Sequence, residues 1–303
     1  MKKELVFVSK FILVFLIVSG TATPLLSQYG VFGKEDLVKY TRKWEGERFP
    51  DGRPKVSDEI IEKLRGVVLE DLMGPLYKAG YRNQIDTEGW LVMHPQRPVV
   101  GRAVTASFMP YRPDISEIIN EDGLKDGMER GQNSWPIDRL VKGDVIVVDL
   151  FGKIDGGTYA GDNLATTIAK RVGPGGGMII DGAVRDADGI YPIENFNTIV
   201  RDYHHSGISD VMLMSYNAPI RIGKITCMPG DIVVSSMEGI AVIPVHLVEE
   251  VVDRVERTQL RNTFGKLRMQ EGVYTAGQVD SRWTEEMEED YNKWLNEYRE
   301  KNK

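Results

Sequence analysis

Apolar residues in the middle of the chain fall in short runs set apart by glycine and proline, a pattern of strands more than of long helices. Val99–Phe108 is rich in β-favouring residues and predicts a strand with a bulge at Gly101. Gly143-Asp144 introduces Val145–Val148, and Met178–Ile180 is a further buried-looking strand that gives way to a loop at Asp181. Later runs are Thr198–Val200, Val211–Met214, Ile220–Ile222, Ile232–Val234 and Ile240–Ile243, with Pro229-Gly230 among the turns between them. Apolar stripes at helical spacing stand out in three places. Ser57 suits an N-cap, Asp58 and Glu59 suit a first turn, and Ile60, Leu64, Val67, Val68 and Leu72 continue as one stripe that should end near Gly74-Pro75. Leu247, Val248, Val251, Val252 and Val255 form a second stripe, which Leu260, Phe264 and Leu267 continue. The third is the tail, with Trp283, Met287, Tyr291, Trp294, Leu295 and Tyr298 on one face and acidic residues on the other. It predicts a helix docked on its own domain or on a neighbouring subunit. Many short strands with few helices predict an α/β fold: a compact mixed sheet sandwich or barrel with helices packed outside.

The first residues break this pattern. Met1-Lys2-Lys3 is basic, Leu5–Val8 and Phe11–Val18 are apolar, and small residues follow at Ser19, Gly20, Thr21 and Ala22. That order predicts a secretory signal peptide over residues 1–22, and so an exported, periplasmic or secreted protein with no stable membrane insertion after cleavage. The alternative is an uncleaved anchor, but Phe11–Val18 is too short to span a bilayer alone. Residues 23–55, with Tyr40, Trp44 and Phe49 set among charges, read as an extension that wraps the main domain.

Composition adds exclusions. The 303 residues are 42% hydrophobic and 27% charged, ordinary for a globular protein, and the formal net charge of −7 argues against a nucleic-acid partner. The single cysteine, Cys227, cannot form an internal disulfide and reads as a small buried hydrophobe. One cysteine and four histidines make no zinc pattern.

Candidate chemistry concentrates in Gly161–Asp186. Gly161-Asp162-Asn163-Leu164 opens a helical segment in which Asp162 would cap the helix and the amides of Asn163 and Leu164 would face an anion. Asp181–Asp186 reads DGAVRD, where Arg185 offers a planar fork for a carboxylate or enolate and Asp186 offers the oxygen ligand that Mg²⁺ prefers. Each segment alone has a plainer explanation, as a simple helix start and as a solvated Arg–Asp pair. Gly173–Gly177 is no phosphate loop, because it precedes a strand and lacks the following Lys-Ser/Thr. His204 and His205, as neighbours on a strand, would point to opposite faces and so play a surface or supporting role. No Gly-x-Ser-x-Gly elbow is present.

The order of these motifs resembles the family of ribonuclease E activity regulator A (RraA) and the related 4-hydroxy-4-methyl-2-oxoglutarate (HMG/CHA) aldolases. The matching pieces are Val100–Thr105, Gly143–Val148, Gly161–Thr166, Ile180–Asp186, Pro229–Val234 and Glu238-Gly239 through Pro244, across residues 56–262. The resemblance implies a β/β/α swivelling-type sandwich with outer helices, flanked by the N-terminal extension and a helical C-terminal extension over 263–303. It implies a homotrimer or hexamer with the site at a subunit boundary. It also implies a class II pyruvate aldolase, or oxo-acid lyase, acting on a small 2-oxo acid, with oxaloacetate decarboxylation as a related activity. Arg185 would bind the pyruvyl part, Asp186 would hold Mg²⁺ or Mn²⁺ partly through water, Asp162 would assist, and Gly161, Asn163 and Leu164 would hold the carboxylate. The chain departs from the family at Gly189, where an acidic residue is common although Asp188 is adjacent, and at Ser236, where an aspartate is common. Val172–Gly177 is also longer than usual. These departures touch the substrate's distal half. The expected function is therefore a metal-dependent lyase giving pyruvate through an enolate, with a non-catalytic RraA-like binding or regulatory protein as the alternative.

Overall fold

The computed structural model describes residues 32–129 and 131–301, so the proposed leader lies outside the described residues. Nine α-helices, two single-turn 3₁₀ helices and eleven strands are seen among the described residues. In chain order they begin with α1 (Lys34–Tyr40), α2 (Asp58–Lys63), α3 (Leu69–Lys78), β1 (Ile85–Asp86), β2 (Leu91–Val92), β3 (Val100–Pro110), α4 (Pro113–Lys125) and β4 (Asp144–Thr158). There follow α5 (Asp162–Val172), β5 (Gly177–Val184), α6 (Ala187–Ile190), β6 (Asn197–Tyr203), β7 (Val211–Tyr216), β8 (Ile220–Ile222), β9 (Ile225–Cys227), β10 (Ile232–Ser236) and β11 (Gly239–Ile243). The chain closes with α7 (Val248–Gln270), α8 (Ala276–Val279) and α9 (Glu285–Lys301). None of the described helices is long and apolar enough to cross a membrane.

One sheet organises the molecule. Its strand order is β1-β11-β10-β3-β4-β5-β6-β2, with β7 on the far half of β3; β3, β4, β5 and β6 run parallel. Side chains alternate along these strands, and each set has its own core. Val104, Ile146, Val148, Met178 and Ile180 are buried against the helices, while Ala103, Val145, Val147 and Ile179 are buried against the β8–β9 hairpin. The layers are thus helices, main sheet and small β layer, the expected β/β/α sandwich. Cys227 is buried in the hairpin layer, as its apolar run suggests.

Several local expectations change. Ser57 caps α2 by accepting the Ile60 N–H at 3.3 Å, but the stripe beyond it is two helices. Gly66 takes a left-handed backbone (φ 78°) between them, and α3 runs through Pro75 to Lys78. It ends where the Tyr81 N–H returns to the Leu76 carbonyl beside Gly80. The irregularity is not at Gly101 but in the pairing of β3 with β7, where the register shifts between Ser107 and Phe108 and Met214 of β7 is the extra residue; Gly101 pairs regularly with Val233, and a Cβ there would press on the Gly143 carbonyl. β5 continues through Asp181 to Val184, because Asp181 is buried and paired with Arg201 at 2.7 Å.

The tail docks on its own chain. Phe264 of α7 packs against Trp283, Tyr291 and Trp294 at ring separations of 5.4–5.6 Å, and Arg268 meets Asp290 at 2.6 Å. Residues 41–55 fold around Arg48, whose guanidinium donates to Thr41, Gly52 and Trp44.

Candidate active site

The site is built where parallel strands end and a helix begins, the position at which open α/β sheets receive ligands. After Asp149 the pairing of β4 with β5 becomes irregular: Lys153 meets Gly182 and Thr158 meets Ala183, so the intervening residues of β4 bulge. Two backbone bonds then zip the chain just beyond β4 to the end of β5: Tyr159 N–H to the Ala183 carbonyl at 2.9 Å, and Arg185 N–H to the Ala160 carbonyl at 3.0 Å. This zip brings Gly161-Asp162 and Arg185-Asp186 together, although 22 residues of helix, turn and strand separate the end of one from the start of the other.

The contact between them depends on two glycines. A Cβ at residue 161 would stand 2.5 Å from the Asp186 Oδ2 and 3.0 Å from the Arg185 Nε. A Cβ at residue 189 would stand 2.8 Å from the Asp162 Cβ. Each motif therefore rests an acidic side chain on the other's glycine. At Gly189, the position where the chain departs from the acidic residue common in the family it resembles, the space beside the glycine is taken by the Asp162 side chain. Asp186 holds a left-handed backbone (φ 53°, ψ 42°) at the N-cap of α6, a conformation that aspartate tolerates better than most residues.

The cap of α5 differs from expectation. Gly161 is the N-cap, and Asp162 is the first helical residue, its Oδ1 accepting the Asn163 N–H at 2.8 Å. Asp162 thus occupies one of the two amides expected to face an anion. The Leu164 amide remains in the first turn. Gly161, Asp162, Asn163, Leu164 and Arg185 all line a cleft of about 90 Å³, whereas Asp186 lies over Gly161 outside that lining. Arg185 and Asp186 meet at 3.5 Å, with side chains 48% and 51% exposed. This long contact is the one ion pair of Arg185 among the described residues, so its fork is open to a ligand.

The cleft wall contains residues that the sequence did not single out. Asn133 donates from its carboxamide to the Tyr159 carbonyl at 2.8 Å and accepts from the Tyr159 hydroxyl through its own backbone carbonyl at 3.0 Å. Complete burial pushes the Tyr159 phenol far above its usual range, so it acts only as a neutral donor. Tyr159 had the signal of adjacency to Gly161. Asn133 had none, because nothing in a polar stretch between helices points to a contact across the sheet.

His204 and His205 lie just past β6, not on it. Their rings pack at 4.5 Å instead of pointing to opposite faces, and the His204 N–H reaches the Val184 carbonyl. His204 Nδ1 is 2.9 Å from the Ser206 Oγ, a supporting contact at the border of the site.

The donor set can be tested against a divalent cation. Among the described residues no group of three or more His, Cys, Asp or Glu side chains is placed to hold a metal ion. An all-protein cage is therefore absent from that part of the chain. Mg²⁺ commonly keeps several waters and uses one or two carboxylates together with substrate oxygens. Asp186, which packs on Gly161, and Asp162, which packs on Gly189, are carboxylates of the kind that mode uses.

Comparison with known proteins identifies the family. The RraA-like family model described as Aldolase/RraA matches residues 54–242. A protein of Halalkalibacterium halodurans described as "Putative 4-hydroxy-4-methyl-2-oxoglutarate aldolase" is 32% identical over 121 residues, 39% of this chain and 54% of that protein. Protein DlpA of Legionella pneumophila is 36% identical over 122 residues, 39% of this chain and 19% of that protein. The matches thus span about half of the first relative and a smaller share of the second. Among solved structures, RraAS2 of Streptomyces coelicolor, described as an unusual member of the RNase ES inhibitor RraA protein family, superposes with a TM-score of 0.58 at 25% identity. That match covers 71% of this chain and 98% of RraAS2. An uncharacterized protein of Pseudomonas syringae pv. tomato shares the fold, with a TM-score of 0.61 at 22% identity over 77% of this chain and 98% of its own.

Proposed function

The chain belongs to the RraA-like Aldolase/RraA family, and we propose that it is a divalent-metal-dependent lyase that cleaves or decarboxylates a small 2-oxo acid to give pyruvate. The observation that carries this reading is the open Arg185 fork beside Asp186, zipped against Gly161 at the start of α5. In the retro-aldol direction the bond between carbons 3 and 4 breaks and its electron pair moves into the pyruvate enolate. The 4-hydroxyl loses a proton, and carbon 3 later gains one. Arg185 grips the pyruvyl oxygens and opposes the negative charge that grows on the keto oxygen. The Leu164 amide and the positive end of α5 favour the carboxylate. Exposure of Arg185 and Asp186 lets water carry both protons. A Mg²⁺ or Mn²⁺ ion held by Asp186 and Asp162 through water would supply Lewis-acid polarisation of the substrate's keto oxygen. No lysine lines the cleft among the described residues, which favours this route over an amine-based one.

Half-exposure of both site side chains also supports assembly as a homotrimer or hexamer in which a neighbouring subunit completes the open side. The N-terminal pattern supports export, and mass spectrometry of the protein from its host should find a mature N-terminus near residue 23; residues 1–22 intact on a cytosolic protein would overturn it. The second reading, a regulator without turnover, draws on the likeness to RraAS2. A pyruvate-release screen over branched 4-hydroxy-2-oxo acids and oxaloacetate, with and without chelator, separates the two. Metal-dependent pyruvate supports the lyase, and none from any substrate with Mg²⁺ or Mn²⁺ leaves the regulator.

A further inference from the structure

The cleft at Arg185 is small, about 90 Å³, and suits a pyruvyl unit. Asn133 and Ile208 line it and also line a second groove of about 240 Å³. That groove lies between α4, residues 131–133 and the start of β7, and its other walls include Phe108, Tyr111, Ser116, Asn120, Gln132 and Ser209. Among the described residues that line it, none is charged.

The polar groups in this groove are held in a mixed pattern of donors and acceptors. Gln132 is spent on positioning: its Nε2 donates to the Ser116 Oγ at 3.2 Å and the Asn120 Oδ1 at 3.0 Å, and its Oε1 accepts the Leu213 N–H at 2.7 Å. The Asn120 amide is therefore fixed with its Nδ2 left to donate, and the Ser116 hydroxyl retains its own proton. The Ser209 hydroxyl donates to Asp210 at 3.1 Å, which leaves its oxygen to accept. Asn133 uses its Nδ2 on the Tyr159 carbonyl, and its Oδ1 accepts from none of the described residues.

A carboxylate is acceptor-only, so acceptors such as the Asn133 and Ser209 oxygens gain nothing from it and repel it. Hydroxyl groups donate and accept, and match such a set. We propose that this groove is the subsite for the distal half of the substrate, and that it selects a neutral, hydroxyl-bearing chain over a second carboxylate. This rests on the lyase reading for the identity of the proximal half, and it names the substrate class as hydroxylated 2-oxo acids.

Calorimetry with two non-cleavable ligands tests it apart from turnover. Both are 2-oxo acids that lack the 4-hydroxyl and so cannot undergo the retro-aldol step; one carries hydroxyls on carbons 5 and 6, the other ends in a carboxylate. The hydroxylated ligand should bind about tenfold or more tightly, as one or two net hydrogen bonds allow. Asn120→Leu, an exposed change to a good helix former, should erase that difference, and Ser209→Ala should narrow it. Equal or tighter binding of the carboxylate-ended ligand overturns the proposal, as does a preference that Asn120→Leu leaves intact. Failure of the lyase reading would show differently, as absence of pyruvate from cleavable substrates while the binding preference persists.

Discussion

Two of the arginine–aspartate constellations that lie next to glycines in this molecule are opposites. At one, the Asp144 carboxylate, fully buried, receives Arg102 at 3.1 Å and Arg53 at 3.2 Å, and Phe49 lies under both guanidiniums. The Arg102 guanidinium also donates to the Val56 and Lys142 carbonyls and to Asp58. Its donors are consumed by protein, so it can only hold the N-terminal segment to the sheet. At the other, Arg185 and Asp186 are half-exposed, meet at 3.5 Å, and sit over a glycine that leaves room beside them. Residue type and glycine adjacency are shared; saturation of the donors is not. A buried, saturated pair ties structure together, whereas an exposed pair with open donors keeps its binding capacity for a ligand.

The largest effect should come at the open pair. Asp186→Asn, or excess EDTA on the unmodified protein, should abolish pyruvate release while the urea midpoint stays unchanged. Full turnover in EDTA would remove the metal from the mechanism. The buried pair should answer the other way. Asp144→Ala leaves two buried guanidiniums without their carboxylate and should cost about 3–5 kcal/mol of stability. A urea titration that moves by less than about 1 kcal/mol would show that the knot is not an anchor.

A third substitution sharpens the contrast within one side chain. Arg185→Lys keeps the charge but loses the planar fork, so turnover should fall by about 10²–10³. Arg185→Ala should fall further, and oxalate, which resembles the planar enolate, should inhibit both variants far more weakly than the original. Stability should stay within about 0.5 kcal/mol, as for other exposed changes. Normal turnover and oxalate inhibition in Arg185→Ala would make this pair as structural as the buried one.

Legibility in the sequence followed locality. The strands around Val145, Val233 and Val242 were readable because their apolar runs are short, buried and bounded by turns. The division of α2 from α3 was hidden, since the stripe carries on through Gly66 with only the backbone reversing. At the site, Gly161, Asp162, Arg185 and Asp186 could be nominated from loop chemistry, and the order of motifs tied them together. What joins them in space is the bulged end of β4, which no periodicity records, and Asn133 arrives from a separate segment. The role of Arg102 was equally hidden: it lies in the strand Val100–Pro110 with nothing in its neighbours to mark it, and only burial reveals it as an anchor.

The smallest expected effect is also the most discriminating, because it gives stability and activity opposite signs. Gly161 is the N-cap of α5 with φ −108° and ψ −169°, an extended backbone that any residue can adopt. Serine is a better N-cap than glycine by a few tenths of a kcal/mol, so Gly161→Ser should leave stability equal or slightly higher. Its Cβ, however, would sit 2.5 Å from the Asp186 Oδ2 and 3.0 Å from the Arg185 Nε. Asp186 Oδ2 ends a half-exposed side chain and the Arg185 Nε lies within another, so both side chains will swing aside at little cost to the fold. The swing displaces the two groups assigned to the chemistry, and a misplacement of about 1 Å can cost up to 10² in rate. Turnover in Gly161→Ser should therefore drop by about tenfold or more as the urea midpoint holds or rises. Should turnover hold as well, the closeness of Gly161 to the pair is incidental, and glycine serves there only as a helix start.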